Sequence, residues 1–371
     1  MEPIRVALVG CGRWGANLAR NLASLDRFRL VAVCDVDPAR AAALGDRWNA
    51  PARHAEHRDL LRREPLDAVV VATPAQSHHR ISADAIDAGL HVLVEKPLAL
   101  SAREAEDLAT RARRRGVALM ADHTELHDGT VREAIARARA GEAGDVVSIA
   151  LEHLNRGDGP ADLDLPWDLA PHDLAILDAI VGAEPAAIRA APGPDGPERS
   201  ARILLRYPGG ERAEIVLWRG APARRRSLAI HGTAGVIEAP DLGDGAPLRV
   251  TLRDAADGGG PAAFEVACDR AEPLARLCLE FASLVRGGPT FDDAGRAVRV
   301  VRAIEALGTH HRGTEDTEPV SSPCSLCLCG GPPRERPATP AFDHRAGSSG
   351  MPARWLASRA RAKSRSDRRL R

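Results

Sequence analysis

The stretch IRVALVGCGRWG, residues 4–15, decides the fold of the first part of the chain. Its first half is a short apolar run typical of a buried strand, and GANLARNLASL at 15–25 has the apolar spacing of a helix. Three glycines stand at the turn between them in a G-x-G-x-x-G pattern. Gly10 allows a tight turn, Gly12 lets the backbone approach a pyrophosphate, and Gly15 lets the helix pack on the strand. The pattern is weak alone, but in this strand–turn–helix context it predicts a dinucleotide site at the helix N-terminus.

Outside this stretch, the first third of the chain alternates short apolar runs with helical segments. The runs lack polar alternation, which predicts parallel strands with both faces covered. They lie at 29–35, 67–73, 91–95 and 117–121, and helical patterns lie at 38–48, 77–89 and 101–115. We therefore expect an α/β fold with an N-terminal Rossmann, doubly wound parallel sheet over residues 1–122.

Asp35 ends the second predicted strand, twenty residues after Gly15. A carboxylate there can bind both ribose hydroxyls of a dinucleotide and would repel a 2′-phosphate, so it favours NAD over NADP. The alternative is an incidental aspartate in a turn. Thr73 and Pro74 stand at the end of the apolar run at 67–73, where they can contact the cofactor or form a turn that Ser77 caps.

Lys96 stands out in a chain that uses arginine almost everywhere, since the only other lysine is Lys363. It follows the strand HVLVE at the ligand edge of the predicted sheet, and Pro97 favours an extended backbone at residue 96. Lysine is a compact charge whose pKa can fall on burial, so it can give or take a proton; arginine cannot. We predict a catalytic or substrate-binding Lys96, against the alternative of a surface lysine after a strand.

WDLAPHDLAIL, residues 167–177, places Asp168 and His172 four residues apart. On a helix the two side chains share a face, and a carboxylate beside an imidazole is a usual general-base arrangement. Pro171 belongs in a first turn, which places Asp168 at or just before the helix start. The alternative is that these residues cap or pack the helix.

The remainder predicts an α+β domain over residues 123–317, with a large, open, mostly antiparallel sheet. A helix near 130–140 and a strand at 145–155 are followed by strand-like runs, and two closing helices lie at 273–285 and 294–307. The last helix is expected to pack back on the first domain. Asn155 and Arg156, after the strand at 145–155, are candidate substrate contacts. Residues 318–371 predict a disordered basic tail, whose C-x-x-C-x-C is too tight for a zinc site, so no metal is expected.

Composition excludes several classes of protein. The net charge is zero; from residue 321 on there are eleven basic and three acidic residues, so the tail carries about +8 and the body about −8. The body therefore lacks the basicity typical of nucleic-acid binding. No window reaches the roughly 18 apolar residues of a membrane span, no signal peptide opens the chain, and the cysteines suggest no disulfide framework, so we expect a cytoplasmic protein.

Five motifs together resemble the Gfo/Idh/MocA oxidoreductase family over roughly residues 3–310. In order they are VGCGRWG, CDVDP, ATPAQSHH, VEKPLAL and WDLAPHDL. The resemblance implies an NAD(P)-binding first domain and a second domain whose sheet binds a sugar or polyol and packs against another subunit. We therefore expect a homodimer or homotetramer. The expected cofactor contacts are Gly10, Gly12, Arg13, Trp14, Gly15, Asp35, Thr73, Pro74, His78, Glu95 and Lys96.

The same resemblance implies roles for three residues. His172 takes a proton from a substrate hydroxyl, Lys96 stabilises the developing alkoxide, and Asp168 orients and balances charge. The expected substrate contacts are Lys96, Asn155, Arg156, Asp168 and His172.

WDLAPHDLAIL is most similar to members that oxidise C3 of UDP-N-acetylhexosamines or their uronic acids. The chain departs from them in ADHTELHDG, where Asp122, Glu125 and His127 replace small or aromatic residues. We predict an NAD-dependent dehydrogenase of a sugar or nucleotide sugar. The alternatives are an inositol, polyol or free-aldose dehydrogenase, a non-catalytic NAD-binding regulator, and an NAD-retaining hydrolase or lyase.

Overall fold

A computed structural model describes residues 2–157, 159, 163–243, 245–253, 260–288 and 293–308. The described residues belong to one compact unit. The predictions for residues 318–371 lie outside the described part of the chain.

The first sheet has six strands, all parallel to their neighbours. They are β1 (Ile4–Val9), β2 (Phe28–Cys34), β3 (Ala52–His54), β4 (Ala68–Val71), β5 (His91–Val94) and β6 (Leu119–Ala121), in the order β3-β2-β1-β4-β5-β6. The helices between them are α1 (Arg13–Ser24), α2 (Pro38–Arg47), α3 (His57–Arg63), α4 (His78–Asp87) and α5 (Ala102–Arg115). The strand order reverses beside β1, and that reversal creates a crevice at the carboxyl ends of the strands. The predicted doubly wound sheet is confirmed.

The second sheet has eight strands. They are β7 (Val146–Asn155), β8 (Ala187–Pro192), β9 (Ser200–Arg206), β10 (Arg212–Arg219), β11 (Arg225–Gly232), β12 (Gly235–Ala239), β13 (Leu248–Leu252) and β14 (Ala262–Val266), in the order β14-β13-β12-β11-β7-β10-β9-β8. Only the β7–β10 pair is parallel. The sheet is therefore mostly antiparallel, as predicted, and alternate residues of its central strands are buried on one face.

Four helices belong to this second half of the described chain: α6 (Gly129–Arg139), α7 (Leu165–Val181), α8 (Pro273–Val285) and α9 (Asp293–Glu305). Helix α8 packs against α1, beside the first sheet. There its Phe281 stacks on Phe28 of β2, with ring centroids 6.5 Å apart. Helix α9 packs on α5 and β6, and Arg302 forms an ion pair of 2.8 Å with Glu106. Helices α8 and α9 thus both contact elements of the first half of the chain.

Helix α7 corrects one prediction from the sequence. It begins at Leu165, with Pro166 in its first turn, so Pro171 lies inside the helix and Asp168 lies after its start. An internal proline removes a backbone hydrogen bond and crowds the carbonyl four residues earlier, which costs about 3 kcal/mol. Burial offsets this cost, because 15 of the 17 residues of α7 are buried. Asp168 and His172 consequently share one continuous helix.

Among the described residues, no helix is both long and apolar enough to cross a membrane.

Candidate functional site

The turn between β1 and α1 forms an open cradle at the crevice of the first sheet. Gly10 has a φ of +100°, and a Cβ on it would lie 2.4 Å from the Ala72 carbonyl oxygen; a Cβ on Gly15 would lie 2.0 Å from the Gly10 oxygen. A Cβ on Gly12, in contrast, would meet no atom within 4 Å. Two glycines are therefore required by the protein itself, while the space over Gly12 is free for a ligand. A pyrophosphate fits this space.

Helix α1 begins at this cradle without a side-chain cap. Its first backbone N–H groups can therefore donate to an anion. Arg13 and Trp14, both exposed in the first turn, lie side by side, with the Arg13 guanidinium 5.9 Å from the Trp14 ring centroid. The side chains of Arg13 and Trp14, two predicted cofactor contacts, are thus open to solvent at the cradle.

Asp35 follows β2 and is bound to the same loop. Its Oδ2 accepts a hydrogen bond from the Cys11 N–H at 2.7 Å, and its Oδ1 accepts one from the Asp37 N–H at 2.9 Å. These two bonds fix the direction of the carboxylate, and each oxygen keeps a second lone pair for a ribose hydroxyl. The cradle and this carboxylate together fit a dinucleotide.

Thr73, Pro74 and His78 lie between β4 and α4. The Ser77 hydroxyl donates to the Thr73 hydroxyl oxygen at 2.7 Å, and so joins the two ends of the turn. His78 is buried, and its two ring nitrogens lie 2.8 Å from the carbonyl oxygens of Pro97 and Thr73. A neutral imidazole has one N–H, which donates to one of these two oxygens. The ring of His78 thus lies between the turn after β4 and the segment after β5, and its contact with the cofactor stays a prediction.

Glu95 ends up beside Asp122, because β5 and β6 are neighbours and both residues follow their strands directly. Both carboxyl groups are buried and in contact, and the Asp122 Oδ1 also accepts from the Thr124 N–H at 3.0 Å. Burial, followed by the charge of Asp122, raises the pKa of Glu95 well above its ordinary value. One Glu95 oxygen has no hydrogen-bond partner among the described residues. It can accept or donate to a bound ligand.

Lys96 meets Asp168 although 72 positions separate them in the chain. The Lys96 Nζ donates to the Asp168 carbonyl oxygen at 2.6 Å and lies 3.4 Å from its Oδ1. The other carboxylate oxygen, Oδ2, accepts from the Nη2 of Arg219 at 3.0 Å. No sequence motif marks Arg219, which is the last residue of β10 and directly follows its apolar residues 215–218. Asp168 is therefore held by two cations rather than by the imidazole of His172.

His172 lies one turn beyond Asp168 and faces a different surrounding. Its Nδ1 is buried with no hydrogen-bond partner among the described residues, and its ring meets the His123 ring edge to face, with centroids 6.4 Å apart. Burial, and next the charge of Lys96, lower the pKa of His172 well below its ordinary value. The imidazole is therefore neutral near pH 7, as a proton acceptor must be.

Buried polar contacts surround the other side of this region. The His153 Nδ1 lies 2.9 Å from the Asp173 Oδ2, and the Arg226 Nη2 lies 3.5 Å from the Asp173 Oδ1. Arg226 also pairs with Glu125, one of the three residues at which the chain departs from related sequences. The second, Asp122, bonds to Thr124, and the third, His127, lies 3.4 Å from Glu280. All three departures thus have polar partners within the protein.

Asn155, the last residue of β7, and Arg156, the residue after it, have different surroundings. The Asn155 side chain lies 3.4 Å from the His153 Nε2. In the β7–β10 register Asn155 pairs with Arg219, so it lies beside the arginine that binds Asp168. Arg156 is exposed and makes no hydrogen bond or ion pair with the described residues. Asn155 therefore belongs to the cluster and Arg156 lies outside it. Within the described ranges, no group of three or more His, Cys, Asp or Glu side chains is placed to bind a metal ion.

Two protein-family models match this chain. "Oxidoreductase family, NAD-binding Rossmann fold" matches residues 4–123, and "GFO/IDH/MocA C-terminal domain" matches residues 130–238. Together they cover the parts that carry Lys96, Asp168 and His172.

The chain is also similar to individual dehydrogenases. It is 33% identical over 184 residues to a myo-inositol dehydrogenase of Streptomyces leeuwenhoekii, covering 48% of this chain and 56% of the relative. It is 31% identical over 191 residues to the UDP-N-acetylglucosamine 3-dehydrogenase of Acidithiobacillus ferrooxidans, covering 51% and 58%. The matches thus span little more than half the length of these curated relatives.

A solved structure of UDP-N-acetylglucosamine 3-dehydrogenase from Acidithiobacillus ferrooxidans is similar over a larger part of the chain. The TM-score is 0.71 at 25% identity, and the alignment covers 83% of this chain and 97% of that structure.

Proposed function

The chain belongs to the Gfo/Idh/MocA family of NAD-binding oxidoreductases, and from this membership we propose that it oxidises a secondary hydroxyl of a sugar or nucleotide sugar with NAD. The observation that carries the proposal is the contact between Lys96 and Asp168, with His172 one helical turn away. In the proposed division into domains 1–122 and 123–317, these residues come from both domains. A regulator that only binds NAD has no need of a lysine, a carboxylate and a neutral imidazole at the carboxyl edge of its sheet.

The charges and hydrogen-bond capacity of the three side chains suit alcohol oxidation. Lys96 has three N–H donors, and Asp168 accepts two of them, so one donor remains for a substrate oxygen. That donor can hold the hydroxyl and stabilise the alkoxide that forms when the proton leaves. NAD, when bound, accepts the hydride from the same carbon. The products are a ketone, NADH and one proton, which His172 takes.

Two substrate classes are consistent with the relatives. We favour a UDP-N-acetylhexosamine or its uronic acid, oxidised at C3, because WDLAPHDLAIL resembles the members that act on these substrates. The solved UDP-N-acetylglucosamine 3-dehydrogenase is also 25% identical to this chain, against 19% for a solved scyllo-inositol dehydrogenase of the same TM-score, 0.71. An inositol or other polyol is the second candidate, supported by the similarity to a myo-inositol dehydrogenase.

The test is to incubate the purified protein with NAD and a panel of UDP-sugars, inositols and free aldoses, and to follow NADH by its absorbance. Sustained NADH formation with a UDP-N-acetylhexosamine supports the favoured substrate, and formation with inositols alone supports the second. A protein that retains NAD through purification and forms no net NADH with any substrate would indicate the hydrolase or lyase alternative instead.

The proposal includes a homodimer or homotetramer formed through the outer face of the second sheet. Leu204 on β9 is 45% exposed on this face, and Val216 and Trp218 on the adjacent β10 lie half-buried on it. The Arg202–Glu214 ion pair lies on the same face, so the surface mixes apolar and charged side chains, as interfaces between subunits do. Light scattering should therefore give a dimer or tetramer, and a Leu204→Asp variant should shift it towards the monomer; a monomeric wild-type protein would contradict the proposal.

A further inference from the structure

We propose that Arg219 is a positioning residue for the reaction: it holds the Asp168 carboxylate on Lys96 and away from the imidazole of His172. The inference rests on the proposed function, because it concerns how the same three side chains are kept in a working arrangement.

Arg219 forms hydrogen bonds at two places near the start of α7. Its Nη2 donates to the Asp168 Oδ2 at 3.0 Å, and its Nη1 and Nη2 lie 3.4 and 3.3 Å from the Leu163 carbonyl oxygen. The first contact sets the direction of the carboxylate, and the others tie the guanidinium to the backbone before the helix. A planar guanidinium with several donors in a rigid fork can serve both acceptors at once, which an ammonium group cannot do with the same geometry.

The pair is shielded from water. The side chains of Arg219, Asp168 and Lys96 are 12%, 10% and 15% exposed. The backbone of Gly159 covers the pair, since a Cβ there would lie 2.6 Å from the Asp168 Oδ2 and 2.7 Å from the Arg219 Nε. Because solvent screens such shielded charges poorly, the carboxylate is held firmly between its two cations.

This arrangement decides what Asp168 does to its helix neighbour. Residues four apart on a helix share a face, so the carboxylate would be in reach of His172 if it were free to turn. With Oδ2 on Arg219 and Oδ1 near Lys96, it is turned to the cations instead. Burial lowers the pKa of the His172 imidazole most, and the charges of Lys96 and Arg226 lower it further.

Loss of the guanidinium should therefore change the pH profile as well as the rate. In Arg219→Met the carboxylate retains one cation and can turn towards His172. A carboxylate near an imidazole favours the protonated ring, so the acidic limb of the kcat/KM profile should move up by about one pH unit or more. The rate at the optimum should fall on the order of 10- to 100-fold, because Lys96 is held less firmly. Arg219→Lys retains the charge without the fork and should lie between wild type and Arg219→Met.

A double-mutant cycle separates positioning from a general structural role. If Arg219 acts through Asp168, Arg219→Met should cause little further loss of kcat/KM in an Asp168→Asn background, and no shift of the acidic limb. The matched control is Arg5→Met, because Arg5 also pairs with an aspartate, Asp67, at 2.7 and 3.1 Å, but on the surface. Arg5→Met should leave the pH profile unchanged.

The outcomes distinguish the two proposals. NADH formation by the wild type, with a shifted profile in Arg219→Met and non-additive losses in the double variant, supports the role of Arg219. Wild-type activity with an unshifted profile in both Arg219 variants, or with additive losses, overturns this role and leaves the proposed function intact. A wild-type protein that forms NADH with no member of the panel overturns the proposed function, and the role of Arg219 with it.

Discussion

Mild acid should destabilise this protein through two buried histidines, His123 and His127. Both residues are 5% exposed, and the pKa of each is lowered to about 3. Burial is the largest cause for both; the charge of Arg296 comes second for His123, and that of Arg132 comes second for His127. In the unfolded chain a histidine has a pKa of about 6.5.

The sign and size of the effect follow from these values. Between about pH 6.5 and pH 3 the unfolded chain binds a proton at each position and the folded protein does not, so the free energy of unfolding falls as the pH falls. The loss is about 1.4 kcal/mol per pH unit for each histidine. At about pH 5 it therefore reaches about 2 kcal/mol for each, whereas at about pH 7.5 it is absent.

The assay is urea unfolding of wild type and His123→Phe at both pH values. Phenylalanine has a similar shape and does not titrate, and the two His123 ring nitrogens have no hydrogen-bond partner among the described residues. The difference in the free energy of unfolding between the two pH values should shrink by about 2 kcal/mol in the variant. Leu108→Ala is the control, since it removes a fully buried apolar side chain and should lower stability equally at both pH values. If His123→Phe retains the whole wild-type difference, the account of this histidine is wrong.

Three further predictions concern the cofactor end of the site and Lys96. Lys96→Arg should lower turnover at least about 100-fold with the protein still folded, because arginine is bulkier and stays protonated; near-normal turnover would remove Lys96 from the chemistry. Asp35→Ser should weaken NAD binding about 10- to 100-fold and improve binding of NADP relative to NAD, measured by titration calorimetry; tighter NADP binding by the wild type would refute the role of this carboxylate. Gly15→Ala should destabilise the protein by about 1–3 kcal/mol, because its Cβ would lie 2.0 Å from the Gly10 oxygen, whereas Gly12→Ala should unfold as wild type does and bind NAD more weakly.

The first sheet and its cofactor edge could be predicted because their signals are local. Apolar runs without polar alternation indicate buried parallel strands, and three glycines at fixed spacing are required by one tight turn. Parallel strands also end at the same edge, so residues that directly follow them are placed by topology alone. This is why Asp35, Glu95 and Lys96 lie at the carboxyl edge of the first sheet.

The start of α7 shows where a local rule failed. Pro171 has an unfavourable position in any isolated helix, and only the burial of α7 on nearly every side makes that position acceptable. The helix propensity of proline gives the cost of Pro171 inside a helix. It contains no information on the tertiary packing of α7 that offsets this cost.

The sequence by itself determined the doubly wound sheet, the glycine cradle, and the candidacy of Lys96, Asp168 and His172. Only the tertiary structure decided which of them touch. Arg219 comes from β10, 51 positions after Asp168, and Lys96 comes 72 positions before it. Contacts at such separations depend on how a helix packs on two sheets, and no spacing along the chain encodes that packing. The same packing turned a predicted carboxylate–imidazole pair into a carboxylate held by two cations, because the shielded charges of Lys96 and Arg219 attract it more strongly than a neutral ring does.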